Sequence, residues 1–179
     1  MIDTTLAKRY AEAMVEIGQE QDALDLYGEN LAVLTDLMNT SKDFRELLIN
    51  PVFPKEDKKR VVGSILEKLG TDRMVNNFIN LLIDRKRIDQ LPGIDMAFRE
   101  KVDDIRGITR GEVTSAEPLH EDELSRVTEA LSKISGKRVI LTANTDPSLI
   151  GGLVAKVGDM VFDGTISTQL NQLKESLRG

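Results

Sequence analysis

The stretch 153-LVAKVGDMVF-162 decides the fold of the second half of the chain. Up to Val157, apolar side chains alternate with their neighbours, and a second apolar run begins at Met160. Between the two runs, Gly158 and Asp159 suit a two-residue turn, because both residue types accept the backbone angles of hairpin turns. The stretch therefore predicts a β-hairpin.

The segments around this hairpin alternate between strand and helix patterns. Residues 108–116 alternate like a strand, and residues 121–135 carry apolar side chains at helical spacing behind an acidic first turn. Residues 139–141 resemble a short buried strand, followed by a turn at 144–147. A last helix is indicated by a final apolar set: Ile166, Leu170, Leu173 and Leu177. The predicted order is strand, helix, strand, hairpin, helix, which forms a small α+β domain over residues 106–179.

The first half reads as successive amphipathic helices. Thr4 or Thr5 can cap the first helix, Ser41 the third, and Pro54 suits the first turn of the fourth. The pattern predicts helices that begin near residues 4, 24, 41, 54, 72 and 91. We therefore expect an α+β chain in which a six-helix bundle over residues 1–105 precedes the smaller domain.

The fifth predicted helix, from Asp72 to about Arg87, is apolar around nearly its whole circumference. Such a helix is either central in a bundle or presents one face to something outside the chain, and the sequence leaves both readings open. Ala7, Ala11 and Met14 also widen the apolar stripe of the first helix beyond what one neighbour would cover. Together the two helices would form a groove for an amphipathic partner helix.

Composition closes most routes to catalysis. The chain has 179 residues with one His and no Cys or Trp, which excludes thiol nucleophiles and thiolate metal sites. The net charge of −6 and only seven aromatic residues disfavour nucleic-acid binding. No apolar run approaches the roughly 20 residues that span a bilayer, and no secretory or transit pattern opens the sequence, so a cytosol-like compartment is expected.

The remaining motifs assemble no active site. His120 precedes an acidic helix start, where a polar residue is common, and 136-GKR-138 lacks the earlier Gly and the Ser or Thr of a phosphate loop. Gly151 and Gly152 precede a strand pattern, which favours close backbone packing or a bulge over a dinucleotide site. Asp159 and Asp163 flank a strand without the alternating oxygen ligands of a calcium loop. We therefore expect no catalytic, cofactor or metal site, and a two-part interaction protein such as a generic scaffold or regulatory adaptor.

Several stretches resemble one family. The stretches 146-DPSLIGGLVAKVGD-159 and 161-VFDGTI-166 are similar to the signature of the F-type ATP synthase delta subunit, called OSCP in mitochondria. Matches at 6-LAKRYAEA-13, 87-RIDQLP-92 and 113-VTSA-116 extend the resemblance over nearly the whole chain. The signature positions in this sequence are Gly151, Gly152, Lys156, Gly158, Asp163 and Gly164.

The resemblance implies a non-catalytic stator subunit that links the alpha/beta catalytic head to the peripheral stalk, so that proton-driven rotation is coupled to ATP synthesis. It implies that residues 1–105 bind the N-terminal helix of an alpha subunit through the first and fifth helices, and that residues 106–179 bind subunit b. It also implies a peripheral place on the cytoplasmic face of a bacterial plasma membrane, without membrane insertion. The alpha-facing groove would involve Tyr10, Ala13, Met14, Ile17, Asn77, Phe78 and Leu81, and the resemblance leaves open which of these fill the core.

Overall fold

The computed structural model of the chain describes residues 4–176, with side chains through Leu170 and that of Lys174. The chain divides into two compact units, and the division falls between Val102 and Asp103. The division falls within a helix that ends at Ile105, and residue 105 is where the sequence predicted the boundary.

Six α-helices, as the sequence predicted, and one 3-10 turn form the described part of the first unit. The last helix runs on past the division. The elements are α1 (Thr4–Glu20), α2 (Leu24–Thr40), α3 (Lys42–Ile49), α4 (Lys55–Leu69), α5 (Arg73–Asp84), the 3-10 turn (Ile88–Gln90) and α6 (Leu91–Ile105).

The helix ends follow the expected local chemistry. The Ser41 hydroxyl accepts a hydrogen bond from the Phe44 amide at 3.3 Å and caps α3, which ends before Asn50 because Pro51 disfavours helical geometry in the preceding residue. Gly70 ends α4 with φ +63°, the left-handed conformation that glycine adopts without steric penalty.

The helices of the first unit share one apolar core. Among the described residues, 23 apolar side chains are buried in it, and Tyr10 and Ile17 pack against it from its margin. Burial of this kind dominates folding stability, at roughly 25 cal/mol per Å² of apolar surface removed from water. The largest side chains that are almost fully buried include Tyr27, Phe98, Met14, Leu31 and Leu34.

Helix α5 is shorter and more one-sided than the sequence predicted. It ends at Asp84 rather than near Arg87, because Lys86 adopts φ +57° and takes the backbone out of the helix. Leu81 is 42 % exposed and Asn77 is exposed, so the helix is not apolar all round. The buried face consists of Val75, Phe78, Ile79, Leu82 and Ile83. One face therefore fills the core and another faces outward, and contact between the outward face and a partner stays a prediction.

The second unit is a four-stranded mixed sheet with two helices. Its strands lie in the order β2-β1-β3-β4, with β1 and β2 parallel and the other neighbours antiparallel. The helix α7 forms the crossover that the parallel pair requires. The elements are β1 (Ile108–Ser115), α7 (Glu121–Ser135), β2 (Arg138–Thr145), β3 (Leu153–Val157), β4 (Met160–Asp163) and α8 (Ile166–Ser176).

Strand β2 is longer and more exposed than predicted. It covers Arg138–Thr145, pairs with β1 along its whole length, and buries Val139 alone. The strand predicted at 139–141 therefore lies within β2, but its expected shortness and burial, and the turn expected from Asn144, were wrong. An exposed edge strand has no alternating burial to mark it, and the pairing with β1 comes from tertiary structure.

The hairpin and the last helix are confirmed. Strands β3 and β4 are joined by Gly158 and Asp159, and α8 follows from Ile166. The predicted helix residue Leu177 lies outside the described residues. The core of this unit has five buried apolar side chains among those described: Val113, Leu131, Val139, Ala155 and Val157. The fold is α+β, as predicted.

Candidate functional site

Helices α1 and α5 meet through an aromatic pair. The rings of Tyr10 and Phe78 lie edge to face with centroids 6.1 Å apart. This geometry is favourable because the positive edge of one ring faces the negative face of the other. The structure thus brings together the two helices that the sequence singled out.

The seven predicted groove residues separate into core and surface. Met14 is 1 % exposed and Phe78 is 7 % exposed, so both belong to the core. Tyr10 and Ile17 are half-buried against that core. Ala13, Asn77 and Leu81 are exposed. We call the five residues outside the core the α1/α5 surface: Tyr10, Ala13, Ile17, Asn77 and Leu81.

The start of α5 is held by α2. The Asp72 carboxylate accepts a hydrogen bond from the Met74 amide at 2.7 Å and caps the helix. The Asp72 amide in turn donates to the Asn30 side-chain oxygen at 2.9 Å, while the Asn30 amide group donates to the Leu26 carbonyl at 2.7 Å. Sequence reasoning missed Asn30, although a lone amide side chain beside the apolar stripe of a helix is a signal for a buried hydrogen bond to a neighbouring element.

The end of α5 is held by α4. The Lys59 ammonium lies 2.6 Å from the Asp84 carboxylate, and the Lys55 ammonium donates to the Asp84 backbone carbonyl at 2.7 Å. The hydrogen bond from Lys59 lowers the pKa of the Asp84 carboxyl below its usual range. Both termini of α5 are therefore fixed, which holds Asn77 and Leu81 in place between them.

The α1/α5 surface consists mainly of apolar side chains with one amide side chain, and it carries no group suited to catalysis. Ala13, Ile17 and Leu81 can contact aliphatic side chains, and Asn77 can donate and accept hydrogen bonds. Glu16 follows Ala13 by three residues and is exposed on the same side of α1. The arrangement suits an amphipathic helix laid across α1 and α5.

The signature glycines lie where β3 begins and α8 starts. A Cβ on Gly152 would lie 2.3 Å from the Gly164 carbonyl oxygen, and the residue has φ +85°. A Cβ on Gly151 would meet only the end of the Ile166 side chain at 2.5 Å. Backbone hydrogen bonds from Gly164 to Leu153 at 2.9 Å and from Ile166 to Gly151 at 3.1 Å close the junction. The close backbone packing expected here is confirmed.

Asp163 organises the first turn of α8. Its carboxylate accepts hydrogen bonds from the Thr165 amide at 2.9 Å and the Thr168 hydroxyl at 2.8 Å, and these lower the pKa of Asp163. The Thr165 hydroxyl accepts from the Thr168 amide at 3.2 Å and caps the helix. This part of the signature is thus explained by folding.

The remaining signature residues are Gly158, Lys156 and Gly164, and they differ in how far the fold accounts for them. Gly158 has φ +57° in the hairpin turn, which glycine favours. Lys156 is exposed on β3, between Glu112 of β1 and Val161 of β4. A Cβ at Gly164 would lie 3.5 Å from the Leu153 carbonyl oxygen, an ordinary contact distance, so the surrounding atoms do not require a glycine there. Lys156 is therefore a signature residue whose side chain is exposed.

The residues that the sequence analysis considered and rejected as catalytic or phosphate-binding have roles in the fold. His120 is the residue before α7, and its amide donates to the Glu123 carboxylate at 3.0 Å. Lys137 lies 3.4 Å from Asp104 in an exposed ion pair. Within residues 4–176, no three or more His, Asp or Glu side chains cluster as metal ligands. No helix in that range combines the length and apolarity needed to cross a membrane.

Exposed apolar side chains also mark the second unit. Ile166 and Leu170, four residues apart on α8, are 43 % and 59 % exposed. Ile134 on α7 is 62 % exposed. Sequence reasoning assigned no partner surface in this unit. Apolar spacing marks the apolar face of a helix or strand, but it does not show which side chains on that face stay exposed.

Comparison with known proteins matches nearly the whole chain. The profile of the ATP synthase delta (OSCP) subunit family matches residues 6–177. The ATP synthase subunit delta of Desulfotalea psychrophila is 41 % identical over 179 residues, covering 100 % of this chain and 99 % of the relative. That of Desulfosudis oleivorans is 39 % identical over 178 residues, covering 99 % and 97 %.

A solved structure has the same fold. One chain of the mitochondrial ATP synthase hexamer of Toxoplasma gondii, determined by cryo-EM, matches with a TM-score of 0.70. The match covers 97 % of this chain and 98 % of that chain at 21 % identity. The similarity is to the fold alone.

Proposed function

The chain belongs to the ATP synthase delta (OSCP) subunit family, and from that premise we propose how its two units divide the work of a stator. It is a non-catalytic member of the ATP synthase complex, which sets aside the generic scaffold or adaptor. We propose that the first unit binds the N-terminal helix of an alpha subunit through the α1/α5 surface. The second unit, we propose, binds subunit b of the peripheral stalk.

One observation carries the first assignment. Tyr10 and Phe78 tie α1 to α5, while Leu81 remains 42 % exposed beside them. A large apolar side chain held in place by a helix fixed at both ends is preorganised for contact, so little entropy is lost when a partner helix covers it. The exposed Asn77 would set the register by hydrogen bonding.

The energetics suit a mechanical part. Burial of apolar surface contributes roughly 25 cal/mol per Å², and an interface of standard size, about 1,600 Å², yields a gross term well above the association cost of about 4–15 kcal/mol. Torque from the rotating shaft acts on the head, so the stator requires slow dissociation rather than chemistry. We propose that it does this at the cytoplasmic face of a bacterial plasma membrane.

The test uses the full chain and a peptide from the alpha N-terminus. Leu81→Asp places a charge on the α1/α5 surface and should weaken peptide binding by about tenfold or more, because a carboxylate loses its hydration at the interface. The matched control is Leu69→Asp on α4, where the side chain is 45 % exposed. Calorimetric titration gives the affinities, and circular dichroism checks that both variants fold. Equal affinity of both variants and the unmodified chain would contradict the assignment.

The second assignment has its own test. Ile166 and Leu170 form an exposed apolar pair on α8, and we propose that this pair contacts subunit b. Leu170→Asp should reduce capture of the C-terminal segment of subunit b, whereas Ile134→Asp, at a similarly exposed site on α7, should not. A stronger effect from Ile134→Asp would move the proposed contact to α7.

A further inference from the structure

A cavity of about 400 Å³ lies in the first unit, where α3 ends, α4 begins and α5 ends. It shares no lining residue with the α1/α5 surface. Its volume falls within the range of small-molecule sites, about 300–1,000 Å³. The partner contacts proposed above do not involve it.

One part of the cavity wall is apolar. Leu48 and Ile49 come from the end of α3, Ile83 from α5, Ile88 from the 3-10 turn, and Phe53 from the loop before α4. Ile49 and Phe53 are 44 % and 40 % exposed, so the wall is open to a ligand from solution. This wall suits a hydrocarbon chain, since covering it removes apolar surface from water.

The rest of the wall is mainly cationic. Lys55, Lys58 and Lys86 line the cavity, with Asp89 as the single carboxylate among the lining residues. Lys58 is only 8 % exposed, and its ammonium donates to the Leu48 carbonyl at 2.7 Å. An ammonium has three donors, so two remain after this bond. Among the described residues, no carboxylate forms an ion pair with Lys58 or Lys86.

The charge on Lys58 is therefore poorly compensated. Its burial lowers the pKa of Lys58 below the usual value, and the neighbouring charge of Lys86 lowers it further. Buried charges are normally paired, because an isolated ion in a low-dielectric environment is costly. The Leu48 carbonyl at the end of α3 offsets part of this cost as the negative end of a helix dipole.

We propose that this cavity binds a small aliphatic monocarboxylate, with the hydrocarbon against the apolar wall and the carboxylate at Lys58 and Lys86. The apolar wall favours such a ligand over inorganic phosphate, which has nothing to place there. Asp89 disfavours more highly charged anions by repulsion. The inference is independent of partner binding and adds a ligand site to the stator subunit.

The first experiment titrates the full chain with octanoate and follows backbone amides by NMR. Saturable shifts are expected around Leu48, Phe53 and Ile88. Octanol keeps the hydrocarbon without the charge, and inorganic phosphate keeps a charge without the hydrocarbon, so both should bind at least about tenfold more weakly. Absence of saturable octanoate shifts would overturn the proposal, as would octanol binding as tightly as octanoate.

Variants locate the carboxylate. Lys58→Met retains the stem and removes the ammonium, and it should weaken octanoate binding by about tenfold or more. Lys86→Gln changes an exposed residue, so the fold should persist, and binding should weaken by about threefold. The control is Lys68→Gln, exposed on the same helix α4 but outside the cavity. If Lys58→Met does not fold, unchanged affinity in Lys86→Gln alone would refute the placement of the carboxylate.

An independent readout is the titration of Lys58 itself. Side-chain NMR should show the pKa of Lys58 rising when octanoate binds, because a nearby anion favours the charged ammonium. A purely apolar binding mode would leave that pKa unchanged or lower it, and either result would contradict the proposal.

Discussion

The two units hold their folds by different means. Among the described side chains, the first unit buries 23 apolar residues in one core and the second buries five. The second unit instead relies on backbone geometry at one junction, where Gly152 approaches the Gly164 carbonyl and Asp163 organises the start of α8. A large core tolerates substitutions of similar volume, whereas a tight backbone contact permits almost none. The cost of a single substitution is therefore expected to be largest at Gly152.

The largest expected effect tests the backbone junction. Gly152→Ala should destabilise the second unit by more than about 3 kcal/mol, because it adds left-handed strain to an overlap with a carbonyl oxygen that cannot move freely. Hydrogen exchange at the amides of β1 and β3 measures the loss. The control is Gly136→Ala, where φ is +67° but a Cβ would meet nothing within 4 Å, and about 1 kcal/mol is expected. Equal losses in the two variants would show that strain alone matters.

The second prediction tests the large core. Leu82 is fully buried, and Leu82→Ala should destabilise the first unit by about 3 kcal/mol through lost burial and a residual cavity. Both tyrosines of the chain, Tyr10 and Tyr27, lie in this unit, so near-UV circular dichroism during urea unfolding reports on it selectively. The exposed Leu69→Ala should change stability by less than about 0.5 kcal/mol. A small effect at Leu82 would mean that the core readily closes the cavity.

The third prediction concerns the cap of α8. Thr165→Ala removes the hydroxyl that accepts the Thr168 amide, and a loss of about 1 kcal/mol is expected in the second unit. Ser167→Ala, at an exposed position inside the same helix, should have almost no effect. If the two variants behave alike in thermal unfolding, the cap contributes little and the junction depends on Gly152.

The fourth prediction uses pH. The pKa of Asp163 is lowered in the folded state, so its stabilising effect is complete above the ordinary pKa of about 3.9 and is lost as the pH falls through the folded value. Unfolding measured between neutral pH and pH ~2 should therefore show a steeper acid-side loss in the unmodified chain than in Asp163→Asn. Asp159→Asn, in the hairpin turn directly before β4, should keep the steep loss. A similar slope in all three chains would assign acid sensitivity to other carboxyls.

Much of this architecture is predictable from the sequence because both units have clear periodicity. The helices of the first unit follow from apolar spacing and from residues such as Ser41, Pro54 and Gly70. The hairpin at Gly158 follows from its turn residues. Strand β2 was misjudged, since an exposed edge strand such as Arg138–Thr145 leaves no burial pattern.

The sequence identified the two helices of the candidate site but not which of their side chains are exposed, for a related reason. Spacing placed Met14 and Phe78 on the correct helices, but an apolar side chain on a stripe gives no sign of whether it faces core or solvent. That assignment depends on the neighbouring helices, as the hydrogen bond between Asn30 and Asp72 illustrates. Leu81 could be separated from Phe78 only once the packing was known.

The smallest expected effect tests whether surface charge matters to the larger unit. Lys101 and Glu12 form an ion pair at 3.4 Å in which both side chains are about half exposed, 48 % and 53 %. Exposed pairs contribute little because water screens the charges and two long side chains lose freedom, so Lys101→Met should change stability by less than about 0.5 kcal/mol. Urea unfolding at low and high salt should give nearly the same difference between the two chains. A loss above about 1 kcal/mol that disappears at high salt would mean that the first unit also depends on charge, and that its large core is not sufficient by itself.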